Sequence, residues 1–166
     1  EIYTIDTKGN TKRLTHFRGI DTSPTWSSDG KKIAFTSDRS GSPQIYIMDA
    51  EEGDSKMIKR ITFNGYYNDL PAWSPKGDMI AYSSLIKDHF QIIIKNLTNG
   101  RETQMTKGGS SKESPTWAPN GRFLAFSSRV FGESAVFIAQ TNRPGIRRLT
   151  FLKGGGFSPS WSPNFN

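Results

Sequence analysis

The stretch Ser23-Pro24-Thr25-Trp26-Ser27-Ser28-Asp29-Gly30-Lys31-Lys32-Ile33-Ala34-Phe35 returns as Leu70-Pro71-Ala72-Trp73-Ser74-Pro75-Lys76-Gly77-Asp78-Met79-Ile80-Ala81-Tyr82. It appears again as Ser114-Pro115-Thr116-Trp117-Ala118-Pro119-Asn120-Gly121-Arg122-Phe123-Leu124-Ala125-Phe126, and a shorter copy, Ser158-Pro159-Ser160-Trp161-Ser162-Pro163, follows. The tryptophans Trp26, Trp73, Trp117 and Trp161 hold the same place in each copy, 47, 44 and 44 residues apart. A second marker, Leu14-Thr15, Ile61-Thr62, Met105-Thr106 and Leu149-Thr150, repeats with the same spacings. A period in the forties with strand-like segments, and no apolar stripe near 3.6 residues, predicts β-propeller blades rather than paired helices.

Within one unit four strands are expected. The first lies around Pro24-Thr25-Trp26-Ser27, and Asp29-Gly30 (Asn120-Gly121 in the third unit) supplies the two-residue turn that needs positive φ. The second is Lys32-Ile33-Ala34-Phe35-Thr36, the third spans residues 44–49 and the fourth residues 59–63. Glu1-Ile2-Tyr3-Thr4-Ile5-Asp6 matches Gln44-Ile45-Tyr46-Ile47-Met48-Asp49, so the chain opens at the third strand of a unit. The expected fold class is all-β: a β-propeller fragment of four-stranded antiparallel blades with a repeat of 44–47 residues. Residues 1–22 form the second half of a blade, 23–69, 70–113 and 114–157 are repeat units, and 158–166 supply the first strand of a final blade.

Composition agrees with many short strands and tight turns: the hydrophobic fraction is 34%, with 16 glycines and 9 prolines. Strand alternation sends Ile45 and Ile47 to one face and Tyr46 and Met48 to the other, so both faces of the sheet are apolar and one unit is not expected to be stable alone. The absence of cysteine excludes disulfides, thiolate metal sites and cysteine nucleophiles. No apolar run is long enough to cross a bilayer as a helix, so direct membrane insertion is not expected. The net charge of +7 comes from basic residues scattered singly or in pairs, without the run or stripe that nucleic-acid binding calls for.

Strand count alone sorts the loops. The segment entering the first strand and the loop joining the second and third emerge on one face, and the Asp-Gly turns emerge on the other. Residues 16–22, 66–70, 107–113 and 153–157 therefore gather on one face with 37–43, 85–90 and 129–133. These segments vary between units and carry aromatics beside charges, the makeup of a protein-binding surface. The expected contact residues are Asp21, Thr22, Tyr67, Asp69, Glu113 and Phe157.

Catalytic patterns are absent. There is no Gly-x-Ser-x-Gly elbow, phosphate loop or dinucleotide fingerprint, and His16 and His89 have no partner at metal-ligand spacing. No cofactor is expected; the one cation that the sequence leaves open is calcium in a central channel, held by Asp21, Asp69 and Glu113 if they converge.

The run Ser-Pro-Thr-Trp-Ser-Ser-Asp-Gly-Lys-Lys-Ile-Ala-Phe-Thr-Ser-Asp of residues 23–38, followed by Gln-Ile-Tyr-Ile-Met-Asp and Arg-Ile-Thr, resembles the repeat of the TolB family of six-bladed periplasmic propellers, over essentially the whole chain. The resemblance implies a non-enzymatic scaffold of the Tol-Pal envelope system. Such a scaffold binds the peptidoglycan-associated lipoprotein, supports outer-membrane integrity and cell division, and is exploited by colicins in some species. It also implies that the lipoprotein docks on the loops preceding the inner strands. Thr22 matches a contact residue of the family, whereas Tyr67, Asp69, Glu113 and Phe157 occupy comparable loops without matching a motif. The family's N-terminal α/β domain and first blades have no counterpart here, so the sheet faces of a partial propeller are expected to invite self-association. A second reading takes the repeat as the gating propeller of a prolyl-oligopeptidase-like or tricorn-like peptidase.

Overall fold

The computed structural model describes residues 1–143, 145–151 and 155–163; residues 153–154 of the fourth expected loop and 164–166 of the expected last strand lie outside them. Every regular element among the described residues is a strand, so no helix is long and apolar enough to cross a membrane. A two-stranded sheet, β1 (Tyr3–Ile5) and β2 (Thr11–Arg13), comes first. Three four-stranded antiparallel sheets follow, each with its strands in chain order. The first is β3 (Asp21–Trp26), β4 (Lys32–Ser37), β5 (Gln44–Asp49) and β6 (Lys59–Arg60). The second is β7 (Asn68–Trp73), β8 (Met79–Ile86), β9 (His89–Asn96) and β10 (Glu102–Gln104), and the third β11 (Lys112–Trp117), β12 (Phe123–Val130), β13 (Glu133–Gln140) and β14 (Ile146–Arg148). β7 touches both β3 and β11, so the first strands of successive sheets lie side by side on the inside, as in propeller blades.

Packing follows from the two-sided apolar pattern. Tyr46 and Met48 meet Ile2, Leu14, Ile33 and Phe35 between the β1–β2 sheet and the first full blade. Ile45, on the opposite face of the same strand, packs with Ile80, Tyr82 and Ile93 of the second blade. Ile92 and Ile94 in turn join Trp117, Leu124 and Phe126 of the third. Each core thus belongs to two sheets, and each large side chain buried in it contributes roughly 1.5–3 kcal/mol.

The inner strands are not regular. Register slips between Thr22 and Thr25, between Asp69 and Ala72, and between Glu113 and Thr116. In each case two residues stand opposite a single buried aromatic, Phe35, Tyr82 or Phe126, which is a β-bulge. The first bulged residue has positive φ at every copy: Ser23 (54°), Leu70 (54°) and Ser114 (56°), with Ser158 (49°) continuing the series. Ser158–Pro163 keeps the repeat's backbone kink and donates its Trp161 Nε1–H to Thr116 O at 3.1 Å, but forms no strand, because no described segment pairs with it.

The fourth strands are shorter than residues 59–63 suggest, and the reason is a threonine. Ile61 N–H donates to Ile45 O (2.9 Å), but the return bond from Ile45 N–H goes to the Thr62 hydroxyl (2.9 Å) instead of to backbone. That hydroxyl donates to Gln44 Oε1 (2.8 Å), while Arg60 Nε–H donates to Thr62 O (2.6 Å). The same bonds are made by Thr15 with Ile2, Glu1 and Arg13, and by Thr106 with Ile92, Gln91 and Gln104. Thr150 accepts from Val136 N–H (2.9 Å), but Ala135 stands where Gln44 and Gln91 offer an acceptor.

The loop of residues 50–58 carries the three extra residues of the 47-residue unit and reaches back to the β1–β2 sheet. A Cβ on Gly53 (φ +58°) would stand 2.3 Å from Leu14 O. Asp54 accepts from His16 N–H (2.6 Å) and lies 3.1 Å from His16 Nδ1. Desolvation raises the Asp54 carboxyl, but the His16 hydrogen bonds and charge outweigh it and hold the group below its usual 3.8.

Replacing Thr62 with valine keeps the shape and orphans a buried amide, so Thr62→Val is expected to lose about 1–3 kcal/mol in urea unfolding. Thr150→Val, at a half-buried site with one bond fewer, should lose clearly less; equal losses would refute the role given to the buried hydroxyl. A carboxylate held below its usual value stabilises the fold above that value, and the contribution fades as pH falls through the folded value. Acid titration of thermal stability below about pH 4 should therefore flatten in Asp54→Asn; parallel curves for the two proteins would remove the clamp from the account.

Candidate functional site at the mouth of the inner strands

The bulges create the geometry of the expected binding face. Thr22, Asp69, Glu113 and Phe157 each immediately precede a positive-φ residue, so four of the six expected contact residues hold one repeat position. Thr22 pairs with Thr36, Asp69 with Ser83 and Glu113 with Ser127, at matching places on successive inner strands. Thr22 is exposed, Asp69 and Glu113 are half-buried, and Phe157 is exposed.

Asp69 sits at the seam between two blades. Its Oδ1 accepts from the Thr36 hydroxyl (2.7 Å), the Ser23 hydroxyl (3.3 Å) and Leu70 N–H (2.6 Å). These bonds tie the second blade to the first and fix the kink that leucine, unlike glycine, adopts only under strain of about 1–2 kcal/mol. Tyr67 lies beside it, its ring edge-on to Phe90 at 5.4 Å; desolvation and then the Asp69 charge raise its hydroxyl above the usual value.

Glu113 and Phe157 meet at a cavity of about 540 Å³, together with His89, Arg129 and a group of serines that includes Ser110, Ser127 and Ser134. Its polar walls come from Ser127-Ser128 of β12 and from the loop at Ser110-Ser111. Phe90 N–H donates to Ser111 Oγ (3.1 Å), which links the Tyr67–Phe90 pair to this wall.

Asp21 behaves differently. It stands one residue ahead of the position shared by Asp69 and Glu113, and strand alternation turns it to the other side. Its side chain has no exposure, and both oxygens accept from Arg39 Nη2 at 3.0 Å. Arg39 in turn lies over the rings of Phe17, Phe35 and Tyr46 at 5.1–5.3 Å. Asp21 therefore reaches a partner only through Arg39, and its part is to anchor that guanidinium.

The residues equivalent to Asp21 were not legible as site elements. Asn68 donates to Gln44 Oε1 (2.8 Å) and Asn64 O (2.9 Å), while Lys112, 7% exposed, donates to Lys107 O (3.1 Å) and Ser110 O (2.7 Å). Burial lowers the Lys112 ammonium. Packing alone reveals that an acid, an amide and an amine are all buried at this repeat position. Of the three acids expected to face the channel, Asp21 is closed by Arg39 and Asp69 by its hydroxyl donors, and among the described residues no three His, Cys, Asp or Glu side chains gather.

With this geometry established, the comparisons with known proteins are specific. The family model described as TolB beta propeller domain matches residues 1–165. The Tol-Pal system protein TolB of Bordetella pertussis is 47% identical over 57 residues, which are 33% of this chain and 13% of that protein. The uncharacterized peptidase YuxL of Bacillus subtilis is 40% identical over 81 residues, 48% of this chain and 12% of that protein. The putative TolB of Agrobacterium tumefaciens superposes over 97% of this chain and 58% of its own with a TM-score of 0.88 at 22% identity, a likeness of fold. The matched segments thus span only about an eighth of the length of these curated relatives.

Removing the Asp21 carboxylate leaves Arg39 among three aromatic rings without its counter-charge. Asp21→Ala is expected to cost about 3 kcal/mol in chemical unfolding, and a loss below about 1 kcal/mol, the range of an exposed pair, would rule out the buried anchor.

Proposed function

This chain belongs to the TolB beta propeller domain family, and on that premise we propose that it serves as a periplasmic, non-catalytic scaffold of the Tol-Pal system that binds the peptidoglycan-associated lipoprotein. The reading extends to the family's part in outer-membrane integrity and cell division, and to colicins as competitors for the same face. One observation carries it: Thr22, Asp69 and Glu113 stand just before the bulge on successive inner strands, and Phe157 stands at the equivalent place before the positive-φ Ser158. A bulge re-aims side chains at a strand end, and its repetition gives a partner a ring of attachment points with one geometry.

The chemistry of the ring supports a protein ligand. Phe157 and the Tyr67–Phe90 pair offer aromatic anchors, and Glu113, Arg129 and the serines of the 540 Å³ cavity offer polar contacts around them. Asp21 contributes by holding Arg39.

A second reading is favoured by the YuxL match: the chain is the gating propeller of a prolyl-oligopeptidase-like or tricorn-like peptidase, and the same mouth passes peptide substrate. The parent gene separates the two, since a hydrolase domain encoded downstream supports the peptidase. Self-association is proposed through the inner part of the first full blade, where Trp26 is 52% exposed.

Calorimetric titration with the soluble domain of the cognate lipoprotein is expected to give saturable heat. Thr22→Arg and Phe157→Ala should each weaken it by about 2 kcal/mol or more, as central contacts do. Silence from a folded sample, or full affinity in both variants, would defeat the lipoprotein reading.

A further inference from the structure

The repeat supplies an internal control for the opposite face. Between the second and third blades a cleft of about 350 Å³ is lined by Met79, Ile94, Thr103, Met105 and Trp117. At the equivalent place between the first and second blades the cleft is about 630 Å³ and is lined by Lys32, Ile47, Lys59, Ile61 and Trp73. Aligning the two, lysines replace Met79 and Thr103, while the isoleucine and tryptophan of the floor are kept.

The two clefts also differ in how their tryptophans are fixed. Trp117 and Trp161 each donate the indole N–H across the seam, to Ala72 O (3.0 Å) and Thr116 O (3.1 Å) of the preceding blade. By the same register Trp73 would donate to Thr25 O, but it donates to Gly77 O of its own turn (3.0 Å). The seam between the first and second blades lacks this staple, and the larger cleft opens beside the indole.

The rim is basic. Lys32, Lys59, Arg60, Lys76 and Lys95 line the cleft against Asp29 and Asp78. Lys95 is committed to Glu102 (3.0 Å), Asp29 to the Ser27 hydroxyl (2.6 Å) and Asp78 to the Ser74 hydroxyl (3.0 Å). Lys32, Lys59 and Lys76 are exposed, and Arg60 lies 5.2 Å over the exposed ring of Phe63. The floor is Ile47, Ile61, Trp73 and Leu97.

We propose that this cleft is a second docking site, for an extended acidic peptide segment of a protein partner that inserts an aliphatic or aromatic side chain between the first and second blades. Charge complementarity selects the acidic flanks and the apolar floor selects the anchor. The volume is that of a small-ligand or short-peptide pocket. The cations ring one bounded cleft rather than tracking a groove, which argues against a nucleic-acid strand, whose phosphates need a continuous basic path. The site stands on the face of the Asp-Gly turns, away from Thr22 and Glu113, so it does not rest on the lipoprotein reading.

The test is a titration of the isotope-labelled chain, followed by amide chemical shifts, with the probe peptide Ac-Glu-Glu-Leu-Glu-Glu-Phe-NH2. Shifts are expected at residues 27–29, 59–63, 76–78 and 97–100 and not around Trp117. Added salt should weaken binding, and Lys59→Glu with Lys76→Glu should weaken it by about tenfold or more. Both lysines are exposed, so spectral dispersion in the double variant is expected to match the parent. Absence of shifts in the parent, shifts centred elsewhere, unchanged affinity in the double variant, or equal shifts produced by oligothymidylate would each overturn the proposal.

Discussion

The first and second four-stranded sheets are apolar on both faces, and that constraint governs the rest. A sheet with Ile45 on one side and Tyr46 and Met48 on the other has no face left for water, so it is stable only between two neighbours. The cores therefore lie between blades rather than within them. Hydrogen bonds serve the same stacking: Trp117 and Trp161 donate across seams, and Asp69 collects hydroxyl donors from the blade before it. The threonine that ends each fourth strand replaces a ladder bond with a side-chain one, releasing the chain toward the next blade without orphaning a buried amide.

Stacking also explains why the inner strands are bulged. The extra residue at Ser23, Leu70 and Ser114 stands opposite a buried aromatic of the second strand. Positive φ just before a proline is an unusual conformation for serine and more so for leucine, and it recurs at each copy. The kink presents Thr22, Asp69, Glu113 and Phe157 in one series. A device that fits sheets together thereby also sets out a row of side chains for recognition.

Much of the fold was legible in the residues. The tryptophan and Leu/Ile/Met-Thr rulers gave the period, and alternation in residues 44–49 gave two buried faces; Asp29-Gly30 and Asn120-Gly121 marked where the chain turns, but each connection is four residues long rather than two and only its glycine takes positive φ. The candidate site was legible in part. Counting strands separates the loop faces, because an antiparallel meander fixes which connections share an end. Counting does not reveal the slip after Thr22, because a bulge leaves no mark on composition. Asp21 shows the consequence: adjacent to Thr22 in sequence, it is turned by one step of the pleat into a buried pair with Arg39.

The sequence by itself determined the repeat, the strand order within each unit and the two-sided burial, because these depend on local patterning and on the period of a pleated strand. Only the tertiary structure decided which polar residues are spent inside and which remain at the surface. It shows Lys112 buried against carbonyls, Asp69 committed to a seam, and Trp73 turned to its own loop where Trp117 reaches the neighbouring blade. Such differences arise where two blades meet, and contacts between residues more than forty positions apart are set by how the sheets stack, not by the identity of either residue alone.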